Sequence, residues 1–192
     1  MKDLTELPEN LPVPVNDGAC DHLLGSRLPS VFLNGISGKS IDLSAAEGTL
    51  VIFFYPMNGK PDSPPMIGWN DIPGARGCTP QVCSFRDDYS QLVAMDAKVF
   101  GVSSQPLADQ KEAGARLALP YELLNDSQFE LTNAMNLPTF EYDSSTYIKR
   151  ITIITIDGVI KQTFYPVFPP DKNVSDVIRW LEHLNASDKD KR

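Results

Sequence analysis

Residues 49–55 read Thr-Leu-Val-Ile-Phe-Phe-Tyr, an almost unbroken run of β-branched, aliphatic and aromatic side chains. On a strand, successive side chains point to opposite faces, so a run with no polar alternation leaves neither face for water. Such a segment has to be covered on both sides. It demands a sheet lying between two layers, and a chain of 192 residues has room for one domain of that kind.

The remaining pattern is compatible with that demand. Residues 30–33 and 40–43 read as two short strands joined by a turn near 35–38. From Thr79 onward, Val82, Phe85, Tyr89, Leu92 and Val93 fall on one helical stripe. Residues 98–103 form another buried strand, and 106–119 a helix with Pro106 at its start. A short strand at 121–124 and a short helix at 130–135 follow. Residues 148–156 and 159–164 flank Asp157-Gly158, a strong hairpin signal. The closing helix, 176–184, puts Val177, Ile178, Leu181 and Leu184 on one face. The order β-β-β-α-β-α-β-α-β-β-α predicts an α/β domain of thioredoxin-like architecture: a mixed central sheet with helices on both faces, because the last two strands are joined too tightly to be parallel. Residues 1–27 read as an N-terminal arm, 28–185 as the domain, and 186–192 as a charged tail that frays. Within the domain, residues 57–76 form a loop insertion rich in proline and glycine, of a length that is usually functional or mobile.

Charge narrows the function. Seventeen Lys and Arg against 25 Asp and Glu leave a net −8, which argues against nucleic acid or an anionic membrane as partner. No stretch approaches the roughly 18 consecutive apolar residues of a membrane span. Residues 1–17 carry acids and prolines where a signal peptide has an apolar stretch, so the expectation is a cytoplasmic protein. Three cysteines are too few for a disulfide scaffold, and in such a chain a close pair is more often catalytic or metal-binding.

That pair is Cys78 and Cys83, in Gly77-Cys-Thr-Pro-Gln-Val-Cys83, where the long loop enters the first helix. Unpaired backbone N–H groups and the positive end of the helix dipole at that place favour a thiolate over a thiol, and Arg76 adds a positive charge. Cys78 is thus a candidate nucleophile; the plain alternative is a small buried residue. For Cys83 the plain alternative is a buried helix position. In an ideal helix, positions five apart are separated by about 7.5 Å along the axis and about 140° around it. Their Cα atoms then lie about 8–9 Å apart, beyond the roughly 7 Å reach of a disulfide. A Cys78–Cys83 bond therefore requires the first turn or two of the helix to unwind, and Thr79 and Pro80 make that turn easy to lose. A zinc site would need about four ligands, whereas the two histidines, His22 and His183, lie near opposite ends. The four intervening residues exclude a C-x-x-C electron carrier, and neither histidine sits in a hydrolase motif. Cys20 reads as a spare thiol.

Phe53-Phe-Tyr-Pro56 ending a buried strand, followed by Gly77-Cys-Thr-Pro-Gln-Val-Cys-Ser-Phe-Arg-Asp-Asp-Tyr89, resembles the peroxiredoxin family, in particular its bacterioferritin comigratory protein or peroxiredoxin Q branch. Phe100-Gly-Val-Ser103, residues 119–126 and Lys149-Arg-Ile-Thr-Ile-Ile154 fall in the family's order. The resemblance implies that Cys78 is the peroxidatic cysteine, Cys83 the resolving cysteine, and Arg150 the arginine that stabilises the thiolate and polarises the peroxide. The plain alternative for Arg150 is an exposed charge at a strand edge. It further implies a thioredoxin-dependent peroxidase of the atypical two-cysteine kind, without cofactor or metal, recycled by thioredoxin or a similar dithiol and commonly monomeric.

The chain departs from the family in one place. Similar chains carry a proline seven residues before the peroxidatic cysteine and a Thr or Ser three before it. Here Pro56 ends the strand, about fifteen further residues intervene before Cys78, and the position three before is Ala75. Either Thr79, another loop group or a backbone N–H supplies the missing contact, or the peroxide pocket is built differently, with Ser63, Trp69 and Asn70 available as pocket walls. The departure also leaves open a non-enzymatic redox sensor or binding module using the same cysteine pair.

Overall fold

In the computed structural model, which describes residues 6–61, 63 and 66–189, the elements run β1 (Phe32–Gly35), β2 (Ser40–Asp42), β3 (Thr49–Phe54), α1 (Cys78–Asp87), α2 (Tyr89–Ala94), β4 (Ala97–Ser103), α3 (Leu107–Arg116), β5 (Glu122–Asn125), α4 (Glu130–Ala134), β6 (Thr139–Tyr142), β7 (Ser145–Ile148), β8 (Ile151–Ile156), β9 (Val159–Phe164) and α5 (Asn173–Lys189). Seven strands make one sheet in the order β2-β1-β5-β4-β3-β8-β9, and β6 and β7 pair separately. The central pairs β3–β4 and β4–β5 are parallel, while β8 runs antiparallel to both β3 and β9. The sheet is thus mixed, as the tight connection at Asp157-Gly158 requires.

Strand β3 explains the two layers. Val51, Phe53 and Tyr55 face one side, where they pack with Val82 and Phe85 of α1 and Val177 and Leu181 of α5. Leu50, Ile52 and Phe54 face the other, against Leu131 of α4 and Leu23 and Leu28 from the N-terminal segment. All six β3-segment side chains are fully buried. Each such burial contributes about 1.5–3 kcal/mol, so neither layer is dispensable. Phe53 stacks on Phe85 with ring centroids 4.5 Å apart and meets Tyr121 edge-on at 5.8 Å. Opposite Phe53 in the parallel register stands Gly101, where a Cβ would come within 2.7 Å of the Phe53 ring and 2.6 Å of Leu123. The glycine gives that ring its space.

Several details differ from the sequence expectation. The strand expected at 148–156 is broken: β7 ends at Ile148, β8 begins at Ile151, and Lys149 N–H turns to the Pro138 carbonyl at 2.9 Å. The hairpin β6–β7 was not expected, because its turn residues Asp143 and Ser144 adopt positive φ (47° and 59°) without the glycine that usually announces such a turn. Strand β1 lies two residues later than the predicted 30–33, and the first helix divides at Asp88, whose ψ of 9° ends α1 before α2 begins. The insertion is not structureless, since it contains a 3-10 turn at Trp69–Asp71; its Pro64 and Pro65 lie outside the described residues. Among the described residues no helix is long and apolar enough to cross a membrane. The tail expected to fray continues α5 as far as Lys189, with residues 190–192 outside the described ones, as are 1–5 of the arm.

The arm is fastened near the β7–β8 break. Asp17 accepts from Lys149 Nζ at 3.0 Å and from the Tyr165 hydroxyl at 2.8 Å. These hydrogen bonds, Lys149 first, then Tyr165 and the Ala19 N–H, bring the Asp17 carboxyl from its ordinary 3.8 to about 2. A carboxyl held lower in the folded state stabilises above the unfolded value and ceases to do so as pH falls through the folded one. The arm's tether is therefore at full strength above pH 3.8 and is lost on acidification through about pH 2. Melting temperatures of the wild type and Asp17→Asn should differ at pH 6 and converge towards pH 2. A gap of constant size across that range would show that the carboxylate charge does not hold the arm.

Candidate active site

Three chain segments meet at the Cys78 sulfur. The first is the start of α1. Gly77, at φ +103°, turns the loop into the helix, and a Cβ there would collide with Pro170 and lie 2.8 Å from Leu7. No side chain caps the helix, and its first backbone bond is Gln81 N–H to the Gly77 carbonyl at 3.1 Å. Pro80 stands at the third helical position, where the N–H it lacks would have no intrahelical acceptor. The second segment is the turn after β3, from which the Met57 N–H donates to Cys78 Sγ at 3.4 Å. The third is the β7–β8 break, which carries Arg150 inward: its Nη2 lies 3.1 Å from Cys78 Sγ.

Cys78 and Arg150 are each only 3% exposed. The two Nη atoms meet neutral acceptors, the Gly74, Ala75 and Arg76 carbonyls, each at 3.3 Å from Nη2, and the Gln81 Oε1, bonded by Nη1, while Nε has no hydrogen-bond partner among the described residues. Among the described residues no carboxylate forms an ion pair with it. A buried cation without a counter-charge is expensive, and the Cys78 sulfur is the one of its hydrogen-bond partners that can carry a negative charge. Gln81 continues the network by donating to Asn173 Oδ1 at 3.0 Å, which also accepts from the Thr152 hydroxyl at 2.6 Å. The insertion thus supplies three of the carbonyls that aim the arginine. Ala75, the position lacking a hydroxyl, contributes its carbonyl, which lies 3.6 Å from the sulfur.

Cys83 is 6% exposed and lies on the same continuous helix, packed in the core layer that contains Phe53 and Phe85. The Tyr121 hydroxyl holds the preceding carbonyl, Val82, at 2.6 Å. Burial above all keeps the Tyr121 hydroxyl protonated well above its ordinary range. With α1 intact, helix geometry keeps the two cysteines about 8–9 Å apart at Cα. Cys20 lies in the opposite core layer, and its thiol is pushed up to about 12 by burial, with the Asp17 and Asp21 charges adding to the effect.

A pocket of about 220 Å³ opens over Cys78. Met57, Asn58, Lys60, Trp69, Arg76 and Thr79 are among its walls. Trp69, 4% exposed, anchors the insertion by packing its ring on Phe140, Tyr142 and Tyr147 of the β6–β7 hairpin at 5.8, 5.5 and 5.0 Å. Ser63 lies at the pocket rim and is exposed, whereas Asn70 is not among the lining residues. Gln81, Asn173 and Asn58 were not singled out by sequence. Gln81 had a visible signal, since it stands three residues after Cys78 and so shares its helix face.

Comparison with known proteins shows the family and the fold. A sequence model of the family described as Redoxin matches residues 23–179. The chain is 26% identical over 161 residues to the chloroplastic peroxiredoxin Q of Suaeda salsa, covering 83% of this chain and 68% of the relative. A putative chloroplastic peroxiredoxin Q of Oryza sativa subsp. indica is equally similar, at 26% over 161 residues with 67% of its length covered. Among solved structures, the peroxidoxin BcpB of Mycobacterium tuberculosis superposes with a TM-score of 0.69 at 22% identity, over 83% of this chain and 96% of that one. The Xanthomonas campestris bacterioferritin comigratory protein gives 0.64 at 20% identity, over 89% and 96%.

Thiol labelling tests the geometry directly. Arg150→Met keeps the bulk and removes the donors to sulfur, and it should slow alkylation of Cys78 by iodoacetamide at pH 7 roughly tenfold or more. In the wild type, mass-spectrometric mapping should find Cys78 labelled before Cys20. An unchanged rate in the variant would show that the guanidinium does not govern the sulfur.

Proposed function

Because this chain belongs to the Redoxin family, we propose that it is a thiol peroxidase in which Cys78 is the peroxidatic cysteine, Cys83 the resolving cysteine and Arg150 the group that holds the thiolate and polarises the peroxide. One observation carries the reading: a buried guanidinium with no carboxylate partner among the described residues lies 3.1 Å from Cys78 Sγ, inside a pocket. The Cys78 thiolate attacks the distal oxygen of a hydroperoxide. The O–O bond breaks, its electron pair goes to the proximal oxygen, and a proton completes the leaving water or alcohol while sulfur becomes a sulfenic acid. Both electrons come from sulfur, so the step calls for no metal or organic cofactor. The pocket volume supports organic hydroperoxides alongside hydrogen peroxide, being many times the roughly 10–15 Å³ of cavity that one water needs on the same measure.

The second half-reaction needs α1 to open. Cys83 then attacks the sulfenic sulfur, a disulfide forms and water leaves. Opening breaks the Gln81–Asn173 and Tyr121–Val82 hydrogen bonds, a local unfolding event rather than a global one. A dithiol restores both thiols by exchange, and thioredoxin is the reductant that the family resemblance favours. The reading includes a reducing compartment, the cytoplasm, which suits a cycle that a dithiol restores, and a monomer, which the family resemblance favours.

Steady-state turnover with thioredoxin, its reductase and either hydrogen peroxide or an alkyl hydroperoxide is the test. Cys78→Ser should abolish peroxide consumption. Cys83→Ser should stop sustained turnover while one sulfenic acid per chain still forms and is trapped by dimedone. Stoichiometric oxidation of the wild type without turnover would identify a redox sensor instead, and full activity of Cys78→Ser would end the peroxidase reading.

A further inference from the structure

The turn that follows β3 is bonded at almost every main-chain group. The Pro56 carbonyl accepts from the Ser103 hydroxyl at 2.9 Å, and the Met57 N–H reaches Cys78 Sγ. The Asn58 N–H donates to Gln105 Oε1 at 3.0 Å, and its carbonyl accepts from Gln105 Nε2 at 3.1 Å. Gln105, 5% exposed, is fixed in turn by the Ser103 hydroxyl on its N–H at 3.1 Å and by Asn125 on its carbonyl at 2.6 Å. Asn58 is therefore held by its backbone one residue beyond the N–H that touches the sulfur.

Its side chain is treated differently. Asn58 is 2% exposed and lines the Cys78 pocket, yet neither Oδ1 nor Nδ2 makes a hydrogen bond to the described residues. The neighbouring Tyr55 hydroxyl, fully buried beneath it, interacts with the amide without forming a hydrogen bond of normal geometry. Nearly all buried polar groups in native proteins find partners, and an amide left without one is destabilising. A rigid backbone that nevertheless holds such an amide in the reaction pocket implies a ligand that completes it. The same pocket lacks the hydroxyl that similar chains place three residues before the cysteine, because Ala75 stands there, fully buried.

Resting on the peroxidase reading, we propose that the Asn58 carboxamide is the group that binds and activates the hydroperoxide in this site, taking over the part of the missing hydroxyl. A hydroperoxide has one O–H donor and two acceptor oxygens, and a carboxamide presents the complementary acceptor and donors. As Cys78 takes the distal oxygen and the O–O electron pair moves to the proximal oxygen, charge grows on the atom that leaves. An Asn58 N–H on that oxygen is strongest at the transition state, so it accelerates the bond-breaking step and not only binding. Arg150 commits both Nη atoms to four acceptors and the sulfur and leaves its Nε donor without a hydrogen-bond partner among the described residues, whereas the Asn58 amide brings an unpartnered donor and an unpartnered acceptor together.

The experiment measures two rates at Cys78 in the full chain: oxidation by hydrogen peroxide in rapid mixing, and alkylation by iodoacetamide, which needs a reactive sulfur but no peroxide pocket. Asn58→Ala should slow oxidation by about a hundredfold, the usual loss on deleting a donor to a developing oxyanion, while alkylation changes less than about threefold. Asn58→Asp, of the same shape but without the donors, should lose as much and guards against a folding defect. Asn58→Thr, which returns a hydroxyl, should recover about tenfold. Thr79→Val, which removes the hydroxyl on the first turn of α1, should slow oxidation less than Asn58→Ala does. Oxidation of both Asn58→Ala and Asn58→Asp within about threefold of the wild type would overturn the proposal, as would a parallel fall in both rates or a larger selective loss in Thr79→Val. A wild-type chain that alkylates readily but never reacts with peroxide would instead sink the peroxidase reading itself.

Discussion

The structure turns on one buried cation. Arg150 is enclosed almost completely, has no acidic partner among the described residues, and is tolerated because four neutral acceptors and one sulfur surround it. Remove the Cys78 sulfur and the arginine loses the one neighbour among its hydrogen-bond partners that can carry a negative charge; remove the arginine and the sulfur loses a donor at 3.1 Å. Each makes the other affordable inside a protein. The arrangement also explains why a small domain tolerates a long insertion next to its nucleophile. The carbonyls of residues 74–76 at the end of that insertion are the ones that aim the guanidinium.

The fold delivers these groups by ending strands close together. Strands β3 and β8 are antiparallel neighbours with Phe54 opposite Ile151. The residues just beyond that pair, Tyr55 to Asn58 on one side and Arg150 on the other, therefore emerge at the same edge of the sheet. Helix α1 starts there as well, packed on Phe53 through Phe85. The aromatic contact between layers thus fixes how far Cys78 stands from the two strand ends. Trp69 does the same for the outer wall by seating the insertion on the β6–β7 hairpin.

Much of this was legible in the sequence, and for local reasons. The run at 49–55 could only be a doubly covered strand, and the Cys-x4-Cys spacing within a helical stripe put two thiols on one helix too far apart to join. Other features depend on residues distant in the chain. Gln81 and Asn173 are 92 positions apart, and neither residue type announces a buried network. Arg150 was identifiable through resemblance alone, because the stretch 148–156 looks like one continuous strand. The break that turns Arg150 inward comes from the Pro138 carbonyl capturing the Lys149 N–H, an interaction with a hairpin whose turn residues carry no glycine. Asn58 was invisible for a different reason: what distinguishes it is the absence of a hydrogen bond to its surroundings, which only three-dimensional neighbours can reveal.

The fastening of α1 has a consequence for time rather than for structure. The helix is pinned by Gln81 to Asn173 and by Tyr121 to the Val82 carbonyl, and Pro170 packs against the turn at Gly77. In the proposed cycle, the slower these fastenings let go, the longer an oxidised Cys78 waits for Cys83. During that wait a second peroxide molecule competes for the same sulfur, and its success would carry the residue to a sulfinic acid, from which simple thiols cannot retrieve it. On that reading, the strength of a few hydrogen bonds around one helical turn would set a dose limit: below it the molecule cycles, above it the molecule is consumed.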